Sequence, residues 1–315
     1  MDSKRTLLVF TSFLVFRIII GLILYTTISC SAKIKNSFNI YSDSNPQIFE
    51  KDIISTNSNH EGLSYISANK DEIIFTRSSK DFKTSQILYS SYKNGTWSTP
   101  KTLNLTNSGY EAGFVFSPKK KQSFFTNKTP IIDKTFKDEW NIWQINTITT
   151  QDYDMSSAKP IESPINSDSM DCCLTMNSKG TVLFSSNREG TWDIYEAKYN
   201  DGSFNDLKKL GTHINSSKSD EWPSYISEDE NTIFFSSIRK DGFGGDDLYY
   251  TLKENGKWSQ SKIFRDNFNS NSYEDGAFIT TDNKFFFFSS WKTTSFSNDV
   301  SNIYIWNIKN ELLYE

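Results

Sequence analysis

One phrase recurs five times along this chain, at intervals of roughly fifty residues. Each copy has an Asn, an acidic residue a few positions later, an apolar strand, a polar turn, and an aromatic-rich strand that ends in Ser or Thr. The fourth copy is the clearest: Asn215 and Glu221 are followed by Phe-Phe-Ser-Ser at 234–237 and Asp-Leu-Tyr-Tyr at 247–250. A period of this length is typical of repeat architectures, so the repeat defines the fold more closely than any single motif does.

Each copy holds four short apolar segments separated by Gly, Asn, Asp and Ser, which predicts a four-stranded antiparallel sheet. The 25 Phe, 15 Tyr and 8 Trp residues favour strands over long helices. Both faces of such a sheet are apolar and need neighbours, so the copies must stack around an axis. We therefore predict an all-β protein, a β-propeller of about five four-stranded blades, with six blades as the alternative.

The two ends of the repeat region predict how the ring closes. The fifth copy ends after its third strand, at residues 302–306. Residues 45–49 resemble the fourth strand of a copy, but the first three strands of that copy do not precede them. Pairing these segments completes the last blade. The propeller domain is accordingly predicted to span residues 45–315.

The repeat resembles that of TolB-like β-propeller proteins over nearly all of the mature chain. The resemblance rests on the acid before an apolar strand, on Phe-Phe-Ser-Ser-x-Arg at 234–239, and on Asp-x-Tyr at 247–249. It implies a β-propeller of a kind that is common in bacterial periplasmic and envelope lipoproteins. Members of the TolB-like family usually have six blades. Copy two departs from the pattern because it lacks the Asp before its third strand. The resemblance is specific for the fold and says little about function.

The first thirty residues predict export. Lys4 and Arg5 precede an apolar stretch over residues 7–28, which ends two residues before Cys30. Ser29 and Cys30 resemble the lipobox of bacterial lipoproteins, which makes Cys30 the candidate lipidation residue.

An uncleaved membrane anchor is the alternative, although Arg17 is costly inside a bilayer. In either case residues 31–44 form a polar tether. The rest of the chain is expected in the cell envelope; if Cys30 is lipidated, it is a periplasmic or outer-membrane lipoprotein held to the membrane through its lipid.

The acids of the five copies occupy equivalent positions, so a closed ring brings them around the channel mouth. Such a ring of carboxylates would attract a cation or a basic side chain of a partner. In the alternative interpretation, each acid binds turn amides or the Arg of its own Ser-Ser-x-Arg segment and serves only the repeat. The candidate residues are Glu61, Glu111, Asp171, Glu221 and Glu274.

Loops that differ between copies are candidates for ligand contact at the rim. They comprise an insertion around residues 130–138, a Gly-rich loop at 241–247, and the segment 291–299. The acids of the Gly-rich loop would hold Ca²⁺ only loosely, a flexible turn is the alternative, and no other cofactor is expected. The candidate rim residues are Trp140, Asp241, Asp246, Asp247 and Trp291.

Several function classes lack support. A net charge of −4 and the absence of a long basic run argue against nucleic acid as a partner. His60 and His213 are the only histidines and are interpreted as turn residues. A serine hydrolase would then lack its catalytic histidine, and a zinc enzyme would lack enough metal ligands. Cys172 and Cys173 are adjacent, an awkward arrangement for a disulfide, and are expected to pack in a strand.

Two functions therefore stand. The main prediction is a non-catalytic envelope scaffold that binds a protein or peptide partner on one face of the propeller. The alternative is a carbohydrate-binding or glycan-cleaving propeller, because the channel mouth is rich in acids and aromatic residues.

Overall fold

The computed structural model describes residues 38, 41, 45–128, 140–295 and 299–308. It divides into two units, Met1–Tyr41 and Ser42–Glu315. In the first unit, the rings of Phe38 and Tyr41 lie 6.2 Å apart. The predicted export segment with Cys30, most of the tether, and the insertion at 130–138 lie outside the described residues. No helix suited by length and apolarity to crossing a membrane occurs in the described part of the chain.

The second unit consists of short strands joined by turns. Its strands, in chain order, are β1 (Gln47–Ile48), β2 (Asn59–Ile66), β3 (Glu72–Ser79), β4 (Ser85–Lys93), β5 (Thr96–Trp97), β6 (Lys101–Thr102), β7 (Glu111–Phe116), β8 (Gln122–Asn127), β9 (Asn141–Thr149), β10 (Asp152–Pro160) and β11 (Asp171–Met176). The chain continues with β12 (Thr181–Ser186), β13 (Asp193–Asn200), β14 (Ser203–Lys209), β15 (Glu221–Ile226), β16 (Thr232–Ser237), β17 (Asp247–Glu254), β18 (Lys257–Trp258), β19 (Lys262–Ile263), β20 (Glu274–Ile279), β21 (Phe285–Ser290) and β22 (Asn302–Asn307).

These strands form five antiparallel sheets, one for each copy of the repeat. Blade 1 is built from β2 to β6, blade 2 from β7 to β10, blade 3 from β11 to β14, and blade 4 from β15 to β19. Blade 5 has the order β1-β22-β21-β20. The first strand of each copy contacts the first strand of the next, and β20 contacts β2, so the ring is closed. The prediction of an all-β, five-bladed propeller is confirmed.

The ring closes through the N-terminal strand, as the sequence predicts. Gln47 pairs with Ile305 and Ile48 with Tyr304 in antiparallel register. The amide of Phe49 then donates a hydrogen bond of 2.8 Å to the carbonyl of Ile303. The last blade thus combines strands from both ends of the domain.

Aromatic and branched side chains fill the spaces between blades. Phe234 of blade 4 packs edge-on against Phe286 of blade 5, with ring centroids 5.9 Å apart, and both side chains are fully buried. The repeated Asn joins its copy to the preceding blade: Asn215 of copy four accepts from the amide of Ile194 in blade 3 and donates to the carbonyls of Ile194 and Leu210, all at 2.8 to 2.9 Å. Buried polar groups are therefore satisfied where the chain turns back.

Candidate functional site

The five repeat acids begin the innermost strands, and all are buried. Each carboxylate accepts hydrogen bonds from the Ser or Thr four or five residues earlier in the chain. Glu111, for example, accepts from the amide of Thr106 at 2.6 Å and from its hydroxyl. The other four acids make the same kind of bond, to Thr56, Ser167, Ser216 and Ser270 respectively.

Three of the repeat acids also pair with an arginine of their own blade. These ion pairs are Arg77–Glu61 at 3.0 Å, Arg188–Asp171 at 2.8 Å and Arg239–Glu221 at 3.3 Å. Burial raises the pKa of Glu61 and that of Glu221 to about 7, although the paired arginines lower these pKa values. The carboxylates are thus engaged inside the blades, and only Glu61 reaches the wall of the central channel. A role for them in ligand binding stays a prediction.

The central channel is a cavity of about 980 Å³ bounded by the first strands of all five blades. It extends from the acid-bearing starts of these strands, at His60 and Met170, to their far ends, at Ser117 and Thr280. A cavity of this size has room for several sugar rings or a short peptide.

The mouth of the channel is surrounded by the residues that immediately precede the third strand of a blade. Their carbonyls accept hydrogen bonds from the amide of the repeat acid in the next blade, at distances of 2.7 to 3.0 Å. This backbone bond holds each side chain at the blade boundary, and all four residues line the cavity. They are Trp140, Trp192, Asp246 and Ser301.

Two carboxyl groups at this mouth differ from the repeat acids. Asp246 precedes β17, and Asp275 follows the repeat acid of blade 5; both line the channel. The carbonyl of Asp246 accepts the 2.7 Å bond from Glu274, the residue next to Asp275. The two acids therefore come from adjacent blades and meet at one boundary.

Burial, followed by the negative charge of Asp275, raises the pKa of Asp246 to about 7. Asp275 is exposed to the channel, and desolvation by the surrounding protein raises its pKa to about 6. One oxygen of Asp246, Oδ1, is buried and has no hydrogen-bond partner. Raised pKa values are typical of carboxyl groups that act in general acid–base chemistry.

Aromatic side chains flank the acid pair. Trp222, one residue after the repeat acid of blade 4, lines the channel beside the mouth residues Trp140 and Trp192. The rings of Trp140 and Trp192 lie 6.0 Å apart. Flat indole faces around carboxyl groups suit sugar rings, whose C–H faces are apolar and whose hydroxyls are polar.

A second aromatic group lies where blades 5 and 1 meet. The ring of His60 lies 4.1 Å from that of Phe82 and 4.5 Å from that of Trp291, measured between centroids. Its Nδ1 accepts a 2.9 Å bond from the amide of Ser301, and burial lowers its pKa. His60 lies in β2 and is buried, so its interpretation as a turn residue is wrong.

The remaining rim candidates do not converge on one point. Asp241 is exposed, whereas Asp247 is buried and its carboxylate accepts from the amide of Phe243 at 2.8 Å. Within the described residues, no group of three or more His, Cys, Asp or Glu side chains is placed to hold a metal ion. The loosely bound Ca²⁺ stays a prediction.

The sequence singles out Asp246, Trp140 and Trp291 but not Asp275, Trp192 or Trp222. Asp275 and Trp222 occupy the position after the repeat acid, where blades 1 and 2 have Gly62 and Ala112. Aligning the five copies at this position would have revealed both residues. Blades 1 and 2 have small side chains there, so a large or charged side chain in another blade stands out as a difference between copies.

Comparison with known proteins identifies the fold. No family profile matches the chain, and no curated protein sequence does. Among solved structures, the endo-arabinase of Bacteroides thetaiotaomicron has a TM-score of 0.54 at 10% identity, covering 82% of this chain and 98% of that one. An α-L-arabinanase of Penicillium chrysogenum, complexed with arabinobiose, has a TM-score of 0.50 at 10% identity, covering 86% and 100%.

TolB from Acinetobacter baumannii also matches, with a TM-score of 0.45 at 15% identity over 80% of this chain. This chain spans 56% of the length of that TolB structure. The β-propeller that the resemblance to TolB-like proteins implies is confirmed by the sheet topology, with five blades.

The main functional prediction, a non-catalytic scaffold for a protein or peptide partner, is wrong. Three solved structures with TM-scores of 0.5 or more bear the names of enzymes that act on arabinose-containing glycans: the two arabinanases and an α-L-arabinofuranosidase of Lactobacillus brevis. These matches favour the alternative prediction, a carbohydrate-binding or glycan-cleaving propeller. At this level of identity they establish the shared five-bladed fold.

Proposed function

We propose that this protein binds a glycan at the mouth of its central channel and hydrolyses a glycosidic bond there. The observation that carries the proposal is the meeting of Asp246 and Asp275 at one blade boundary, among tryptophans that line the same cavity. Paired carboxyl groups on either side of a sugar linkage are the common machinery of glycoside hydrolysis.

The two acids take different roles because their environments differ. Asp246, with a pKa of about 7, keeps its proton in much of the population near neutral pH and donates it to the glycosidic oxygen. Asp275, with a pKa of about 6, is mostly ionised and accepts a proton from the attacking water. The water oxygen bonds to the anomeric carbon as the bond to the leaving sugar breaks, so both protons are accounted for.

The aromatic residues of the mouth bind the glycan on both sides of the acids. Trp222 and Trp192 line the cavity beside blade 4, and Trp291 lines it at the junction of blades 5 and 1, where its ring packs against His60. Few basic side chains face the cavity, where Lys120 lies at the far end. A neutral polysaccharide therefore fits better than an anionic one, which the carboxylates would repel.

The shared fold supplies the first substrate to try. Arabinan is the natural choice, because the solved propellers of similar shape are named for acting on arabinose-containing chains. Full-length protein is incubated with arabinan and a panel of other neutral polysaccharides, and new reducing ends are measured.

The control is the double variant Asp246→Asn, Asp275→Asn, which keeps the shape of both side chains. We expect release of reducing ends from at least one polysaccharide by the native protein and none by the double variant. Release that is equal in both proteins, or absent on the whole panel, would overturn hydrolysis at this site.

Export and lipidation at Cys30 are part of the proposal and are supported by the sequence of residues 1–30. A lipid anchor would hold the propeller at the envelope, where polysaccharides from outside the cell arrive. Metabolic labelling with an alkyne fatty acid tests the anchor. Label is expected on the native protein and not on a Cys30→Ser variant.

A further inference from the structure

The adjacent cysteines of blade 3 are closer than a regular strand allows. Consecutive side chains of a β-strand point to opposite faces of the sheet, which keeps their ends apart. The Sγ atoms of Cys172 and Cys173 nevertheless lie 3.1 Å apart. The cause is a bulge in β11, where the pairing with β12 shifts register between Cys172 and Thr175.

The backbone at Cys173 is in the left-handed region, with φ of 57°. Blades 2 and 5 have a similar bulge, and there the equivalent residues are Gly113 and Gly276, with φ of 59° and 63°. Glycine adopts this conformation without strain, whereas a side chain costs about 1 kcal/mol or more. Glycine would therefore fit this position without strain. Because the chain has a strained cysteine there instead, we infer that the thiol has a function.

The two thiols differ in access. Cys173 lines the channel and is partly exposed, whereas Cys172 is fully buried behind it. Burial raises the pKa of the Cys172 thiol, so Cys172 is not the first nucleophile and reacts only when its proton passes to the departing small thiolate. A reagent in the channel thus meets Cys173 first, and Cys172 is in contact with the sulfur it would then attack.

We propose that Cys172 and Cys173 form a redox-active dithiol that exchanges with small disulfides entering the channel. The Cys173 thiolate attacks one sulfur of the small disulfide, its S–S bond breaks, and the departing thiolate takes up the proton that Cys173 lost. Cys172 then attacks the Sγ of Cys173 in the mixed disulfide, and the second small thiol leaves with the proton of Cys172. The protein pair is oxidised to a vicinal disulfide, and one small disulfide is reduced to two thiols.

Blade 2 supplies matched variants. Its acid is followed by Ala112 and Gly113, the counterparts of the two cysteines. Cys172→Ala and Cys173→Gly therefore place in blade 3 residues that the same bulge accommodates in blade 2. All proteins are full-length and carry Cys30→Ser, so that only the pair reacts, and a melting curve checks that each variant folds.

Each folded protein is treated with oxidised glutathione, then denatured, alkylated with N-ethylmaleimide and weighed intact. We expect the native pair to lose two hydrogens and to take up no maleimide. Cys172→Ala should stop at one glutathione adduct, and Cys173→Gly should remain unreacted and take up one maleimide.

Three results would overturn the proposal. One is a native pair that takes up two maleimides after treatment. Another is equal glutathione uptake by the two single variants. The third is oxidation that appears only as disulfide-linked dimers. This test does not depend on hydrolysis of a glycan.

Discussion

Phe49 packs edge-on against Phe287, with ring centroids 5.5 Å apart, across the seam where the N-terminal strand completes the last blade. Phe49 also contacts Trp97 of blade 1, at 5.8 Å between centroids, and is completely buried. One side chain from the start of the domain thus joins its first and last blades.

Replacing this side chain should destabilise the whole ring. We expect Phe49→Ala to lower the free energy of unfolding by about 3–5 kcal/mol, because a large buried ring leaves a cavity. Urea unfolding measures the change. The matched control is Phe243→Ala, at a side chain that is 48% exposed, which should change stability by about 0.5 kcal/mol or less. Equal effects of the two substitutions would contradict closure at this seam.

The repeat acids should act on stability. In Asp171→Asn, the guanidinium of Arg188 loses its buried carboxylate, and we expect a loss of about 3 kcal/mol. Glu111→Gln is the comparison, because Glu111 accepts from Thr106 and a Gln oxygen keeps that role; its loss should be about 1 kcal/mol or less. Thermal and urea unfolding measure both. Similar losses in the two variants would show that the arginine pair contributes nothing.

The raised pKa values of Glu61 and Glu221 predict a pH dependence of stability. Between the ordinary value of 4.5 and about 7, the folded protein binds protons that the unfolded chain has released. The stabilisation is complete below the ordinary pKa and is lost as the pH rises through about 7. From about pH 5 to pH 8, each of these two groups should lower the free energy of unfolding by about 2–3 kcal/mol.

The measurement is the pH dependence of urea unfolding for the native protein and for a Glu61→Gln, Glu221→Gln variant. The difference between the two proteins isolates these groups from the other titrating residues. Stability of the native protein that rises over this range relative to the variant would contradict the prediction.

Trp222 should act on glycan binding rather than on folding. We expect Trp222→Ala to raise KM for the cleaved polysaccharide about tenfold, since loss of a stacking face of about 1.4 kcal/mol corresponds to that factor. Trp222→Phe should recover part of the affinity because a smaller flat face remains. Kinetics over a substrate series measure both, and an unchanged KM in Trp222→Ala would place the glycan elsewhere.

The repeat made the fold predictable, because blade count, strand order and the closing strand all follow from copies such as the one between Asn215 and Trp258. The site was less accessible to sequence reasoning. Glu61 and its equivalents are conspicuous because every copy has one, yet their carboxylates are engaged inside the blades. Asp275 is inconspicuous because it stands next to a repeat acid. Only the packing of blade 5 against blade 4 brings it to Asp246, which lies at the start of a different strand 29 residues earlier in the chain.

The pH dependence of turnover should have two limbs. Activity requires Asp275 ionised and Asp246 protonated, so it should rise as the pH passes about 6 and fall as it passes about 7. The profile of kcat/KM for the cleaved polysaccharide measures both limbs. A rate that still increases well above neutral pH would contradict the assignment of Asp246 as the acid.

The most direct test of hydrolysis by this acid pair compares two substrates in Asp246→Asn and Asp275→Asn. One is the polysaccharide, whose leaving sugar needs a proton, and the other is an aryl glycoside of the same sugar with an acidic phenol, which leaves without one. We predict that Asp246→Asn loses activity on the polysaccharide by about a hundredfold or more yet keeps most of its activity on the aryl glycoside. Asp275→Asn should lose both activities, with melting temperatures no lower than that of the native protein. Full activity of both variants on the polysaccharide would contradict the account.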